Sequence, residues 1–500
     1  MKNRYKQLLC MGMAVLMTLS SMPVAAWAET VTPEEVISEQ SVPEGEISTP
    51  GETSAEDFEY KELDDGTLEI TGYKGSDTKV VVPAGIDGKT VTSIGEVAFK
   101  GRSDMTGIEL PSGLTNISRY AFGSCSSLTS IRIPSGVTSM AEYVFSGCGS
   151  LTSIELPSGL TSIANGTFDG CSSLTDIELP GGVTAIGASA FANCYNLTGI
   201  ELPDGLMSIG VSAFYECRSL TDIKLPGGVT DIRYSAFADC CSLTGIELPD
   251  GLTSIGGSAF YECSSLTNIE LPDGLTSIGG SAFYNCSSLT NIELPSGLTE
   301  IGSSAFAYCH SLTGIKLPDR LTSIAGYTFI NCNSLEDIEL PGGLTEIGNG
   351  AFQYCSGLSG IEIPSGVTNI GELAFDGCSS LKSIELPKGI TKIPFGMFWG
   401  CNDLASIKIP DGVGSIGTYA FLDCISLTGI ELPDGLTNIE SSAFFASGLT
   451  SVTIPAAVTS IKFAFEGCDR LTNISVDEAN ANYSSLDGVL FDKGKTKLMC

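Results

Sequence analysis

Residues 263–285 read CSSLTNIELPDGLTSIGGSAFYN, and residues 286–308 read CSSLTNIELPSGLTEIGSSAFAY. Eighteen of the 23 positions are identical. The same phrase, loosened, runs outward in both directions. Phenylalanine marks it at Phe99, Phe122, Phe145 and onward in steps of 23 to Phe444, then at Phe465, seventeen in one register. A catalytic centre needs unique residues at unique places, and a phrase repeated this often describes a scaffold instead. Inside the unit, Leu266 to Leu271 ends in the apolar–polar alternation of a short strand. Pro272 has no N–H to donate and ends the ladder; a proline holds this place sixteen times from Pro111 to Pro455. Leu275, Ile278 and Phe283 follow at spacings of three and five, which suit a turn and an irregular return better than a long helix. One such coil cannot bury its own apolar side. Stacked coils set Leu on Leu, Ile on Ile and Phe on Phe in one continuous core.

The phrase L-x-x-I-x-L-P-x-x-L-x-x-I-x-x-x-A-F-x-x-C covers about three-quarters of the chain, from Phe99 to Ile474, and closely resembles the BspA-like class of leucine-rich repeats. The opening FEYKELDDGTLEITGYKG (58–75) and the closing ISVDEANANYSSLDGVLFD (474–492) resemble the ends of that family's arrays. The expected fold is an α/β-type leucine-rich repeat solenoid of about 17 coils. One long parallel β-sheet with short 3₁₀ or irregular returns would span roughly 80 Å at ~4.8 Å per strand. The resemblance also implies a role, because members occur on surfaces of bacteria and some protists and are associated with adhesion to host proteins or other cells. The departures are local. The first coil has Arg102 and Met105 where later coils have Cys and Leu, Ser447 stands for a cysteine, and the last two coils are each one residue short.

The start of the chain has a basic head at Lys2, Arg4 and Lys6, an apolar stretch from Leu8 to Leu19, and then Ala26-Trp27-Ala28. This is the pattern of a signal peptide over 1–28, with an apolar run short for a membrane span. Glu29 to Asp57 holds nine acidic residues, no Lys or Arg, and three prolines, the composition of a disordered linker over 29–57. An N-terminal cap over 58–98, the solenoid over 99–475 and a C-terminal hairpin cap over 476–500 complete the expected organisation. The hairpin is expected to turn around Asp492-Lys493-Gly494-Lys495. Its second strand stops at Cys500, so either the natural chain continues or it ends on an uncovered edge, which invites pairing with another chain.

The formal net charge is −33 and the pI near 4.2. Nucleic acid and anionic membrane surfaces are repelled by such a chain, and no membrane insertion is expected after signal cleavage. Fourteen cysteines recur every 23 residues from Cys125 to Cys424, and Cys468 rejoins the pattern. Stacked side chains point the same way, a poor arrangement for a disulfide dihedral, and small buried thiols fill a core well. Free, buried thiols are expected. There is no C-x-x-C for a metal. His310 is the single histidine, and there is no H-E-x-x-H, phosphate loop or G-x-S-x-G. No enzyme and no cofactor are expected.

The residue between the two apolar strand positions faces outward. It is Glu109, Arg132, Glu155, Glu178, Glu201, Lys224, Glu247, Glu270, Glu293, Lys316, Glu339, Glu362, Glu385, Lys408 and Glu431, then Thr453 and Ser475. Eleven are glutamate, and the four basic ones stand 92 residues apart. Like charges facing across strands repel, so each interspersed cation relieves its neighbours. The companion outward position is small or short, as at Gly107, Ser130, Gly199 and Gly245. A flat acidic face suits an extended macromolecule better than a small molecule in a pocket. The run from Glu155 to Glu385 is therefore the candidate binding face, for extracellular proteins or other cell surfaces that present basic patches. A secreted or surface-displayed protein is expected. The competing readings are a solvated, inherited sheet face on a passive stalk, and a targeting module for an enzyme domain beyond residue 500.

Overall fold

The computed structural model describes residues 53–498. The expected signal peptide, most of the expected acidic linker, Cys10 and Cys500 lie outside the described residues. The array is a solenoid of short parallel strands. Its sheet is carried in two rows, because the turn after each proline bends the coil between them; Leu275 N–H closes that turn on the Pro272 carbonyl at 3.0 Å. In the front row the tripeptide before the proline pairs in register, as with Asp222↔Gly245, Ile223↔Ile246 and Lys224↔Glu247. In the rear row the next isoleucine pairs with its counterpart, as with Ser254↔Ser277 and Ile255↔Ile278.

The return around the phenylalanine contains no α-helix, and the one helical turn among the described residues is the 3₁₀ segment Ala55–Asp57. Its amides alternate between two destinations. Ser258, Phe260 and Glu262 donate to Gly280, Ala282 and Tyr284 of the next coil at 2.7–2.9 Å. Ala259, Tyr261 and Cys263 donate three residues back within their own coil at 3.1–3.3 Å. The alternation turns every second amide along the solenoid axis, so the i→i−4 ladder of an α-helix cannot form. It requires left-handed backbone two residues either side of each phenylalanine, here Ser258 at φ 55 and Glu262 at φ 58. L-residues seldom adopt that region, and the inter-coil bonds hold it in place.

The phenylalanines form a buried column from Phe99 to Phe465, with neighbouring ring centroids 5.2–5.8 Å apart and planes within 18°. Beside it runs the thiol column. Cys286 Sγ donates to the Phe260 carbonyl at 3.2 Å, and Cys263 N–H donates to the same oxygen. Each carbonyl of the column thus holds its own coil and the next one together. All sixteen described cysteines are free, and all but Cys241 are buried. Burial pushes the thiols from Cys171 to Cys424 above their ordinary range, Cys332 to about 12. At Ser447 the shorter side chain turns to Cys468 Sγ at 3.4 Å.

At the N-terminal end, Phe58–Glu62 pairs antiparallel with Leu68–Tyr73, which pairs parallel with Lys89–Ile94 and so starts the rear row. Tyr73 lies between Phe58 and Phe99, extending the aromatic column outward. At the other end the hairpin differs from expectation. Tyr483–Leu486 pairs with Val489–Asp492 across a turn at Asp487 and Gly488, both at positive φ. Asp–Gly is the dipeptide that such a two-residue turn demands. The turn expected at 492–495 is present but supports only a single bridge, Phe491↔Leu498. Asn480 donates to the Pro455 and Val458 carbonyls, and the Tyr483 hydroxyl accepts from Ile461 N–H. These contacts satisfy the last turns of the array.

The thiol column predicts slow reaction of the native protein with a thiol reagent and about fifteen further groups titrating on denaturation, since a buried, neutral thiol is a poor nucleophile. Cys286→Ser should lower stability by ~1–3 kcal/mol, because the shorter hydroxyl is buried without an assured acceptor. A non-reducing mass measurement showing most thiols paired would contradict the column.

Candidate interaction face

Every candidate residue from Glu155 to Glu385 is solvent-exposed on the front row. Most strand tripeptides bury their isoleucine and turn the flanking residues out, the alternation that a pleated strand imposes; Asp222–Lys224 is the pattern in full, while Ile154 and Ile407 are only partly buried. The four cations do not sit midway between glutamates. Each bonds one neighbour. Arg132 meets Glu155 at 2.9 Å, Lys224 meets Glu247 at 2.9 Å, Lys316 meets Glu339 at 3.0 Å, and Lys408 bonds Glu385. The side chains in these pairs are 68–83 % exposed, so each pair contributes at most about 1 kcal/mol. Among the described residues no cation bonds Glu178, Glu201, Glu270, Glu293 or Glu362, and Glu178 and Glu201 meet through a lone backbone bridge.

The face has little relief. Beside the Lys224–Glu247 pair lies an open, shallow hollow lined by Leu225, Gly227, Leu248, Pro249, Asp250 and Gly251. Among the described residues no three His, Cys, Asp or Glu side chains converge as a metal would require. His310 lies on the return, where its Nδ1 is 2.9 Å from the Asn331 carbonyl. A carbonyl only accepts, so Nδ1 carries the proton in that contact. The ring meets Tyr308 edge-on at 5.9 Å.

The structure also assembles a feature on the return edge that the repeat pattern did not single out. Tyr261 stacks on Tyr284 with centroids 4.8 Å apart, and Tyr308 tilts against Tyr284 at 5.1 Å. Burial first, then the neighbouring Glu262, pushes the Tyr261 phenol up to about 12. Along the same edge, burial and then Glu262 and Glu216 raise the Asp239 carboxyl. Further on, Asp376 is 5 % exposed and accepts from Gln353 Nε2 at 2.8 Å. Burial pushes its pKa up to about 6, with the Gln353 bond pulling the other way. These residues stand just after the phenylalanine, where identity varies from coil to coil, so no period announces them.

The front face and its stacked core define a leucine-rich repeat solenoid. The family description "BspA type Leucine rich repeat region (6 copies)" matches residues 92–220, 184–313, 299–424 and 391–491. The chain belongs to this family. A leucine-rich repeat protein from Bacteroides ovatus of known structure is 31% identical, with 77% of this chain and 95% of that one covered at a TM-score of 0.64. A leucine-rich cell surface protein from Faecalibacterium prausnitzii is 23% identical, with 86% and 95% covered at a TM-score of 0.37. The pneumococcal vaccine antigen PcpA is 19% identical, with 82% and 92% covered at a TM-score of 0.33. No curated protein matches the sequence.

Asp376 yields a pH prediction. A carboxyl raised in the fold keeps its proton between about pH 4 and 6 while the unfolded chain loses it, so stability falls as pH rises through that window. Asp376→Asn should therefore stabilise the protein at pH 7 by about 1–3 kcal/mol and have little effect at pH 4. Denaturant melts at the two pH values check this; equal effects at both would remove the buried carboxyl as the cause.

Proposed function

We propose that this protein is secreted or displayed at a cell surface and binds extracellular proteins or other cells through the acidic front face. The observation that carries the reading is the row of exposed carboxylates from Glu155 to Glu385, only some of which are bonded to a cation on the protein. Partners that present basic patches fit it. The flatness of the face, built on Ile-centred strands with short companion side chains, favours an extended protein surface over a small molecule. The net charge of −33 disfavours nucleic acid. Membership of a leucine-rich repeat family supports a binding role over a catalytic one, and we read the protein as a non-enzyme without a cofactor.

The test replaces Glu178, Glu201, Glu270 and Glu293 with Gln. Binding to extracellular-matrix proteins or to whole cells should weaken, mostly through slower association, because the change removes steering rather than close packing. Affinity of the unmodified protein should also fall as salt rises, the Debye length being ~8 Å at physiological ionic strength. The fold should persist, since these side chains point into water. Gln or Asn at acidic residues after the strand-ending prolines, Asp250, Asp273 and Asp319, is the control. Equal binding by both variants and the parent would leave the solenoid a passive stalk.

A further inference from the structure

Coil boundaries in this solenoid are not alike. Between Arg132 and Glu431 the front row is laddered across four boundaries, and these are the four that carry the ion pairs. There the residue after the charge also donates to the next coil, as Leu225 N–H does to the Glu247 carbonyl at 3.0 Å. Leu225, Leu317 and Leu386 are buried at these boundaries, whereas Leu248, Leu271 and Leu294 at unladdered ones are partly exposed. The companion side chains do not divide the two classes, because Asp222–Gly245 is laddered and Asp176–Gly199 is not.

The rear row has its own rule. After the rear isoleucine most coils carry glycine, whose N–H donates to the isoleucine carbonyl of the preceding coil, as Gly302 does to Ile278 at 2.8 Å. A Cβ at Gly302 would lie 2.3 Å from the backbone of Gly280, so a side chain there makes the facing backbone shift, which some coils absorb with the bond kept and others do not. Four coils have Ala164, Arg233, Ala325 or Pro394 at this place, and among the described residues these four make no such bond. Ser118, Ala141, Glu440 and Lys462 keep it, at 2.9–3.2 Å.

The two rules coincide at three boundaries, Glu201/Lys224, Glu293/Lys316 and Glu362/Glu385. There the front ladder and the rear pairing are both missing, the front keeping one amide bond at its start (Thr221 to Thr198, Thr313 to Thr290 and Lys382 to Ser359, at 3.2–3.4 Å), and Thr230, Thr322 and Thr391 lack the amide bond to the preceding coil that Thr253, Thr299 and Thr345 make at 2.9–3.0 Å. The return remains bonded across them, as Phe306 N–H to the Thr328 carbonyl at 2.9 Å shows for the second. We propose that these three boundaries are hinge joints, in which the return edge is the leaf and the front and rear rows open and close. At the first two joints the cation faces a glutamate on the open side while bonding the one on the closed side. Lys316 thus has two alternative partners, Glu293 and Glu339. The joints set off two inner stiff blocks, of four coils (Lys224 to Glu293) and three (Lys316 to Glu362), between longer end blocks, and the acidic face bends between blocks.

Hydrogen exchange on the full chain tests this. In the parent protein the Thr322 amide should exchange about 100-fold faster than Thr299 and Thr345, which have near-identical neighbours, because only its ladder bond is missing. Ala325→Gly should close the rear row and slow Thr322 by about 10-fold or more, although glycine ordinarily loosens a chain. Glu339→Gln should release Lys316 to Glu293, slowing Leu294 and quickening Leu317. Thr345 serves as the internal measure of intact folding in both variants. Exchange at Thr322 as slow as at Thr345 in the parent would overturn the joints, and so would an Ala325→Gly protein in which Thr322 is unchanged.

Discussion

Each amide in the return of a coil has two available acceptors, one in its own coil and one in the next, and the structure depends on their strict alternation. A buried amide left without an acceptor costs about 1–3 kcal/mol, and every coil has several to satisfy. Taking the two acceptors in turn fixes the left-handed residues at Ser258 and Glu262, excludes a helix, and sets the axial repeat between coils. The phenylalanine column follows, because rings carried at one point of an identical backbone stack in one register. The thiol column follows in its turn, with each sulfur placed to reach the phenylalanine carbonyl of the coil before.

The front and rear rows are secondary to that frame and tolerate interruption. This explains how the outward face can carry so many carboxylates. The front ladder is unformed at the boundary between Glu270 and Glu293, yet the coils remain bonded through the rear row and the return. A solenoid held only by its front sheet would not accommodate that charge. The freedom to vary the face while keeping the frame is what suits a repeat array to surface recognition.

Much of this was legible in the sequence. The period, the strand-ending prolines, the buried phenylalanines and the outward glutamates follow from identical residues recurring at 23 and from the alternation in a strand. The left-handed positions were not, since Ser258, Glu262, Tyr308 and Tyr354 share no chemistry that signals them and only the inter-coil bonds impose φ near 60. The glycine after each rear isoleucine was visible as a letter, but its meaning lies in a distance to the neighbouring coil. Asp487–Gly488 carried the stronger hairpin signal, and the run around Gly494 obscured it. For the face itself, the sequence placed the cations between glutamates, and only the folded structure decides which glutamate each one bonds. Asp376 and the stacked tyrosines occupy a variable position, where no period distinguishes a packed residue from a solvated one.

The central claim is that the coil is the structural unit and that its backbone alternation, rather than any one side chain, sets the register. Excision of residues 263–285, one complete coil, tests this most directly when followed by thermal unfolding beside a chain lacking only residues 263–273. The account predicts a cooperative transition close to the parent's for the first chain, because Glu262 then meets Cys286 in unbroken register, and a broad or absent one for the second. Equal damage from the two deletions would contradict it.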